Sequence, residues 1–170
     1  MVYSPVGLPL ALKAHAKKDL ANAASHYQRA LDQKEYRSIL FQNYGALLRE
    51  LGNVEKAQQV YKLGLKLYPK SFEILRNYAN LLKDIDPLRA LEYYFQLLHR
   101  RFFELRNELN ENDFLPIIEV LHSLGQHSWA YEICYFAIAE IGLSPGLSVQ
   151  CLKTFAYYQQ LPSVKCNLPL

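Results

Sequence analysis

The sequence predicts an all-α chain, about four helical hairpins in series closed by one further helix. Three observations predict it. Apolar residues recur at helical spacing through most of the chain, and no stretch reads as a strand. A small–aromatic–small pattern returns at intervals near 34 residues, as in Ala23/Tyr27/Ala30 and Ala57/Tyr61/Gly64. Between the helical segments stand Gly52-Asn53, Asp86-Pro87, Gly125 and Gly142, all turn or cap signals. A single hairpin cannot bury its own apolar face, so each unit needs a neighbour.

The stretch 38–71 is the clearest unit. Phe41, Tyr44, Gly45 and Leu48 lie on its first helix, Ala57, Tyr61 and Gly64 on its second, and Pro69 closes it. Small residues at 45, 57 and 64 let the two helices approach closely while the aromatics fill the space between them. Gly52 can end the first helix in a left-handed conformation, and Asn53 can cap the second. Thirty-four residues earlier the pattern falls on Ala11, Ala14, Ala23, Tyr27 and Ala30, giving a repeat over 4–37. Pro5, Gly7 and Pro9 allow its first helix only from about Leu10; its second is expected from Leu20 to Gln33.

Forward of the central unit, Leu75, Tyr78, Ala79 and Leu82 match again, and Ala90, Tyr94 and Leu97 arrive one residue early. Asp86 as N-cap with Pro87 as first helical residue explains the slip and sets a repeat over 72–104. Ala130 follows Ala90 by 40 residues, so about six are inserted; they are expected to extend the preceding helix through Arg101, Glu104 and Glu108. Asn112-Asp113 is then expected to cap a helix with Pro116 in its first turn and Phe114, Ile117, Ile118 and Leu121 on one face. Gly125 ends it, and Ser128 to Ile141, with Ala130, Cys134 and Ala137 inward, completes a repeat over 111–144. Ser144-Pro145 opens a last, capping helix over about 145–161, expected to bury Leu147, Leu152, Phe155 and Tyr158. A tail over 162–170 follows Pro162. The expectation is one domain, 4–161.

At 170 residues, 51% hydrophobic with 13 tyrosines, the chain is large enough for a core and is not a disordered segment. Its net charge of +3 is mild, weak support for an acidic partner and none for nucleic acid. Cys134, Cys151 and Cys166 have no paired metal spacing and leave one over, which points to a reducing, cytoplasmic setting. No stretch approaches the length of a membrane span. The opening MVYSPVGLPLALKAHAKK ends in Ala14-His15-Ala16 but lacks a leading positive charge, and its second half falls in phase with the repeat. A cleaved leader is not expected.

Counted from Ser38, the signature residues of 38–71 stand at positions 4, 7, 8, 11, 20, 24, 27 and 32. That spacing resembles the tetratricopeptide repeat, and the resemblance covers about Leu10 to Leu143. It implies a right-handed superhelix whose concave groove holds an extended segment of a partner protein: a non-enzymatic adaptor. The informative polar residues are Asn43 and Asn77, one repeat apart at the position that faces the groove in this family. Each carboxamide offers a donor and an acceptor, as needed to grip a peptide bond. The pair resembles the asparagine ladder in the repeat region of O-linked N-acetylglucosamine transferases. Elsewhere in the family asparagine at this place supports the next helix instead. Gln42, Arg49, Arg76, Asn80 and Lys83 take neighbouring positions and favour an acidic or polar ligand. Pro9 and Pro116 occupy the equivalent place in the outer repeats, so the ladder has two rungs at most. The family's carboxylate clamp for chaperone tails is disfavoured: its positions hold Leu8, Leu12, Glu73 and Asn77, and only Asn43 matches.

Other chemistries find little support. Glu119-x-x-His122 has the spacing used in di-iron bundles but occurs once, and His122 and His127, separated by Gly125, are not expected to share a face. No catalytic residue, metal ligand or cofactor is assigned. His99-Arg100-Arg101 with Arg106, beside Phe102 and Phe103, is the one basic cluster; Glu104 and Glu108 make it a solvated helix face rather than a nucleic-acid surface. Aromatic density towards the C-terminus offers a surface for a homodimer or another domain. The second functional reading is the repeat region of a larger, glycosyltransferase-like enzyme whose catalytic domain lies elsewhere.

Overall fold

The computed structural model describes residues 7–104 and 109–159. Among them every regular element is helical, and the chain divides into two compact units between Leu81 and Leu82.

The first unit holds α1 (Gly7–Ala16), α2 (Leu20–Asp32), α3 (Ser38–Glu50), α4 (Val54–Leu67) and α5 (Phe72–Leu82), the last reaching the division. Asp19 and Asn53 cap α2 and α4, accepting from the backbone N–H of Asn22 and Lys56 at 3.3 Å each. Gly52 has φ +74°, the left-handed conformation that lets the chain reverse after α3. α1 begins three residues earlier than the prolines suggest. The Glu35 carboxylate, arriving from beyond α2, accepts from the N–H groups of Gly7 and Leu8 at 3.0 and 3.1 Å. Pro9 then falls in the first turn, where a missing N–H costs nothing.

The α3–α4 hairpin closes by pairing small residues with large ones. A Cβ on Gly45 would sit 2.3 Å from the Tyr61 ring, and one on Gly64 would sit 2.7 Å from Phe41 Cβ. Successive hairpins join through tyrosines. Tyr27 of α2 stacks on Tyr44 of α3 with centroids 5.5 Å apart, and one repeat later Tyr61 meets Tyr78 at 5.9 Å. All four rings are fully buried. Contacts of this kind contribute roughly 0.5–1.5 kcal/mol each beyond their burial.

The second unit holds α6 (Pro87–His99), a π-helical turn (Arg100–Glu104), α7 (Glu111–Ser123), α8 (His127–Ile141) and α9 (Pro145–Gln159). Asp86 caps α6 by accepting from Arg89 N–H at 3.2 Å, with Pro87 as first helical residue. The expected extension of α6 carries Arg101 and Glu104 in π rather than α geometry; Glu108 lies outside the described residues. The cap of α7 is Asn110, two residues before the expected Asn112. Its side chain accepts from Asn112 N–H at 3.0 Å, while Asp113 accepts from Asn110 N–H at 2.9 Å. This reciprocal box moves the helix start back, so Pro116 is its sixth residue, inside the helix rather than in its first turn.

α9 packs on α7 and α8 through Leu147, Cys151 and Thr154, all fully or almost fully buried. Leu152, expected inward, is 68% exposed, and Phe155 is half-buried against Tyr131. Thr154 takes the inward place because its hydroxyl meets both His122 Nε2 (2.7 Å) and Gln150 O (2.9 Å). Tyr158 as a core residue and the tail after Pro162 fall outside what is described.

Candidate peptide-binding surface

Asn43 and Asn77 occupy equivalent places on α3 and α5, each immediately before a buried tyrosine of the ring pairs. Both are half-buried. The helical spacing that drives Tyr44 and Tyr78 inward leaves the preceding residue at the edge of the buried stripe. The Asn43 carboxamide hydrogen-bonds the Tyr27 hydroxyl, which also lies 3.1 Å from His15 Nδ1. Burial pushes the Tyr27 phenol up to about 12, an effect the Asn43 bond partly offsets. Tyr61, one repeat on, is likewise raised by burial, and there Arg49 supplies the offsetting positive charge. Part of the hydrogen-bonding capacity of Asn43 is therefore used within the fold; a carboxamide has further donor and acceptor sites.

Around this pair, Gln42 Nε2 donates to Ser38 Oγ at 2.6 Å, and Ser38 Oγ lies 3.5 Å from Ser71 Oγ, one repeat on. Arg49 is exposed at the end of α3. Arg76 and Asn80 are half-buried on α5 and engaged with other groups. The Lys56 ammonium stands 5.7 Å from the centre of the Tyr44 ring. Six of the seven expected residues, Gln42, Asn43, Arg49, Arg76, Asn77 and Asn80, thus belong to the first unit. Lys83 belongs to the second, where it forms a 2.9 Å ion pair with Glu119 of α7.

The second unit holds polar arrangements that residue spacing did not disclose. His122 and His127 meet, Nδ1 to Nδ1 at 2.9 Å, contrary to expectation. The reversal at Gly125 (φ +68°) folds α8 back on α7 and brings together rings that a continuous helix would separate. Tyr157 stacks on His127 with centroids 4.7 Å apart. Burial lowers the His122 pKa, helped by the charges of His127 and Lys153. Arg101 does not lie on a solvated face: its Nε is 3.3 Å from the Asp113 carboxylate, whose side chain is 3% exposed. A cavity of about 400 Å³ is lined by Leu88, Leu91, Phe95, Leu121, Leu124 and Trp129 with Gln126. The chain's single tryptophan, in an exposed position on α8, was its only sequence signal. Among the described residues no three His, Cys, Asp or Glu side chains are placed to hold a metal ion, and no helix is long and apolar enough to cross a membrane.

Helical hairpins repeated along the chain, with small residues beneath large ones where α3 meets α4, define a helical-hairpin repeat protein. Residues 39–81 match the tetratricopeptide repeat family. The chain carries that repeat and has the tetratricopeptide fold. A tetratricopeptide repeat protein from Parabacteroides merdae superposes with a TM-score of 0.74 at 19% identity, over 90% of this chain and 60% of its own. The present chain thus spans less than two thirds of that protein. Pseudomonas aeruginosa pilF superposes at 0.68 with 17% identity, over 90% of this chain and 68% of its own. A MamA protein does so at 0.67 with 16% identity, over 91% and 87%. No curated protein matches the sequence.

Proposed function

We propose that the chain is a protein-interaction module that holds an extended segment of a partner protein, with Asn43 and Asn77 gripping its backbone. The observation that carries this reading is the recurrence of a half-buried asparagine at one place on α3 and α5, each beside a buried tyrosine pair. Carboxamides at one-repeat spacing suit a ligand whose peptide groups recur and whose side chains are not read. Within the first unit, Gln42, Arg49, Arg76 and Asn80 favour an acidic or polar segment. The reading assigns no catalysis or cofactor to these residues and places the module in the cytoplasm.

Its test is an array of unstructured peptides, of acidic, neutral and basic composition, probed with the chain and with an Asn43→Ala/Asn77→Ala variant. Wild type should bind acidic or polar peptides, and the variant at least about tenfold more weakly, since each lost pair of hydrogen bonds is worth about 1 kcal/mol or more. Because Asn43 also bonds Tyr27, the variant's melting curve must show a folded protein at the assay temperature. Equal binding by both proteins would overturn the ladder. A second reading is the repeat region of a larger enzyme that presents substrate to its catalytic domain. Its support is that the chain spans only 60% of the Parabacteroides protein.

A further inference from the structure

The second helices of the hairpins, α2, α4, α6 and α8, turn inward the small residues Ala23, Ala57, Ala90 and Ala130, all fully buried. Counting from these alanines gives equivalent places on the four helices. Leu88, Leu91 and Phe95 of α6 stand where α2 has Ala21, Ala24 and Gln28. Trp129 of α8 stands where α4 has Lys56, and Ile117 of α7 where α3 has Tyr44.

In the first unit these places hold polar groups that are tied together. The Tyr44 hydroxyl donates to Gln28 Oε1 at 2.9 Å, and the Lys56 ammonium stands 5.7 Å from the centre of the Tyr44 ring. In the second unit Ile117 has no hydroxyl to offer, and every equivalent side chain is apolar. These side chains do not close on one another. Leu88, Leu91, Phe95 and Trp129 line the cavity of about 400 Å³. Leu88 is 66% and Trp129 65% exposed, so its mouth is open to water. Large apolar side chains at an open cleft, where the same chain elsewhere uses small and polar ones, mark a surface for a ligand.

Shape and charge select that ligand. Leu88, Leu91 and Phe95 follow the spacing i, i+3, i+7, a row along α6 that the apolar stripe of another helix can match over two turns. A small molecule is largely enclosed by its pocket, and this mouth does not enclose one. Glu92 lies one turn from Leu88, and Glu132 one turn from Trp129; both are exposed, as is Asp84 before α6. Lys83 pairs with Glu119, Arg89 lies 3.9 Å from Asp86, and Arg100 is engaged with another group. Among the described residues, Asp84, Glu92 and Glu132 have no cation against them. The rim is acidic.

We propose that this cleft docks a basic amphipathic helix of a partner protein. Its large apolar side chains enter between Leu88, Phe95 and Trp129, and its lysines or arginines meet Glu92 and Glu132. The site belongs to the second unit and does not use Asn43 or Asn77.

Titration of the chain with a peptide of leucine and lysine, amphipathic as a helix and about four turns long, tests the proposal. Trp129, the single tryptophan, is the reporter. In the free chain it should emit at the long wavelength of a hydrated indole. The peptide should shift that emission to shorter wavelength and saturate. The same peptide with glutamate in place of lysine should bind at least about tenfold more weakly. Leu88→Ala/Phe95→Gln gives α6 the residues of α2 and should weaken the lysine peptide about tenfold or more. Circular dichroism should be unchanged, because both replaced side chains are exposed. Glu92→Lys/Glu132→Lys leaves the apolar lining intact and should reverse the preference between the two peptides. An emission that neither peptide shifts, or equal affinity for both, would overturn the proposal. Binding of the neutral dye Nile red at the cleft, with no response to either peptide, would overturn it in favour of a small apolar ligand.

Discussion

The two units solve one packing problem with opposite choices. In the first, Gly45 on α3 lies beneath Tyr61 on α4, small under large. In the second, the equivalent positions of α7 and α8 hold Ile118 and Cys134, both fully buried, with the large residue on the first helix and the small one on the second. The sum of the two volumes is what matters, because an interior at crystal-like density tolerates either order but neither two large residues nor two small ones. The repeat therefore specifies a shared space rather than a residue at each place. Family signatures are strong where the common order is kept and fade where it is reversed.

The most severe way to break this comparison is to give the first unit half of the second unit's solution. Gly45→Ile would drive a branched side chain into the Tyr61 ring, which already stands 2.3 Å from where a Cβ would lie. Overpacking of that kind should destabilise the chain by about 3 kcal/mol or more. Adding Tyr61→Cys supplies the other half and should restore a substantial part. Urea unfolding followed by far-ultraviolet circular dichroism measures both. Failure of the second change to recover any stability would mean that the two orders are not interchangeable.

The units differ next in what they bury. The described buried polar residues, Asp113 and Thr154, both belong to the second unit, whereas the first is sealed by tyrosine pairs. Arg101→Met would leave the Asp113 carboxylate without its ion pair in a site where its side chain is 3% exposed. Removing one partner of a buried pair costs about 3 kcal/mol. The paired change Arg101→Met/Asp113→Leu should recover most of that loss, less about 1 kcal/mol for the cap that Asp113 provides to Asn110 N–H. Should the double variant prove no more stable than the single, the loss came from the π-helical turn and not from the stranded charge.

The same contrast explains what was legible in the sequence. The 34-residue interval placed Ala23, Tyr27, Gly45, Ala57, Tyr61 and Gly64 in the core, because their roles depend on helical period and size alone. Asp86-Pro87 and Gly125 could be read as boundaries for local reasons. The start of α1 could not, since the group that caps Gly7 and Leu8 comes from Glu35, 28 residues away. Polar tertiary partners follow no period either. Nothing in the spacing joins Arg101 to Asp113 or Asn43 to Tyr27, and the meeting of His122 with His127 depends on the direction in which α8 leaves its turn. For the candidate surface, the sequence indicated which residues recur but not which are already engaged.

The smallest effect concerns the histidine pair, which has no counterpart in the first unit's described contacts. Thr154 Oγ donates its only proton to Gln150 O, so His122 Nε2 must donate to it. Neutral His122 is thereby left with a lone pair on Nδ1, which accepts from His127 Nδ1–H at 2.9 Å. A proton added to His122 would set two N–H groups face to face, in agreement with a pKa lowered by burial, by His127 and by Lys153. A base with a folded pKa below its unfolded value leaves the unfolded chain holding more protons, so stability falls as pH drops below the ordinary histidine value of about 6.5. Its contribution is complete above that value. Trp129, on the same helix as His127, reports the second unit by fluorescence. Its melting midpoint should fall between about pH 7.5 and 5.5, and the fall should be smaller in His122→Asn, which cannot take up the proton. An equal slope in both proteins would place the acid sensitivity elsewhere, and a flat wild-type profile would mean that the turn opens to accommodate the second proton without cost to the fold.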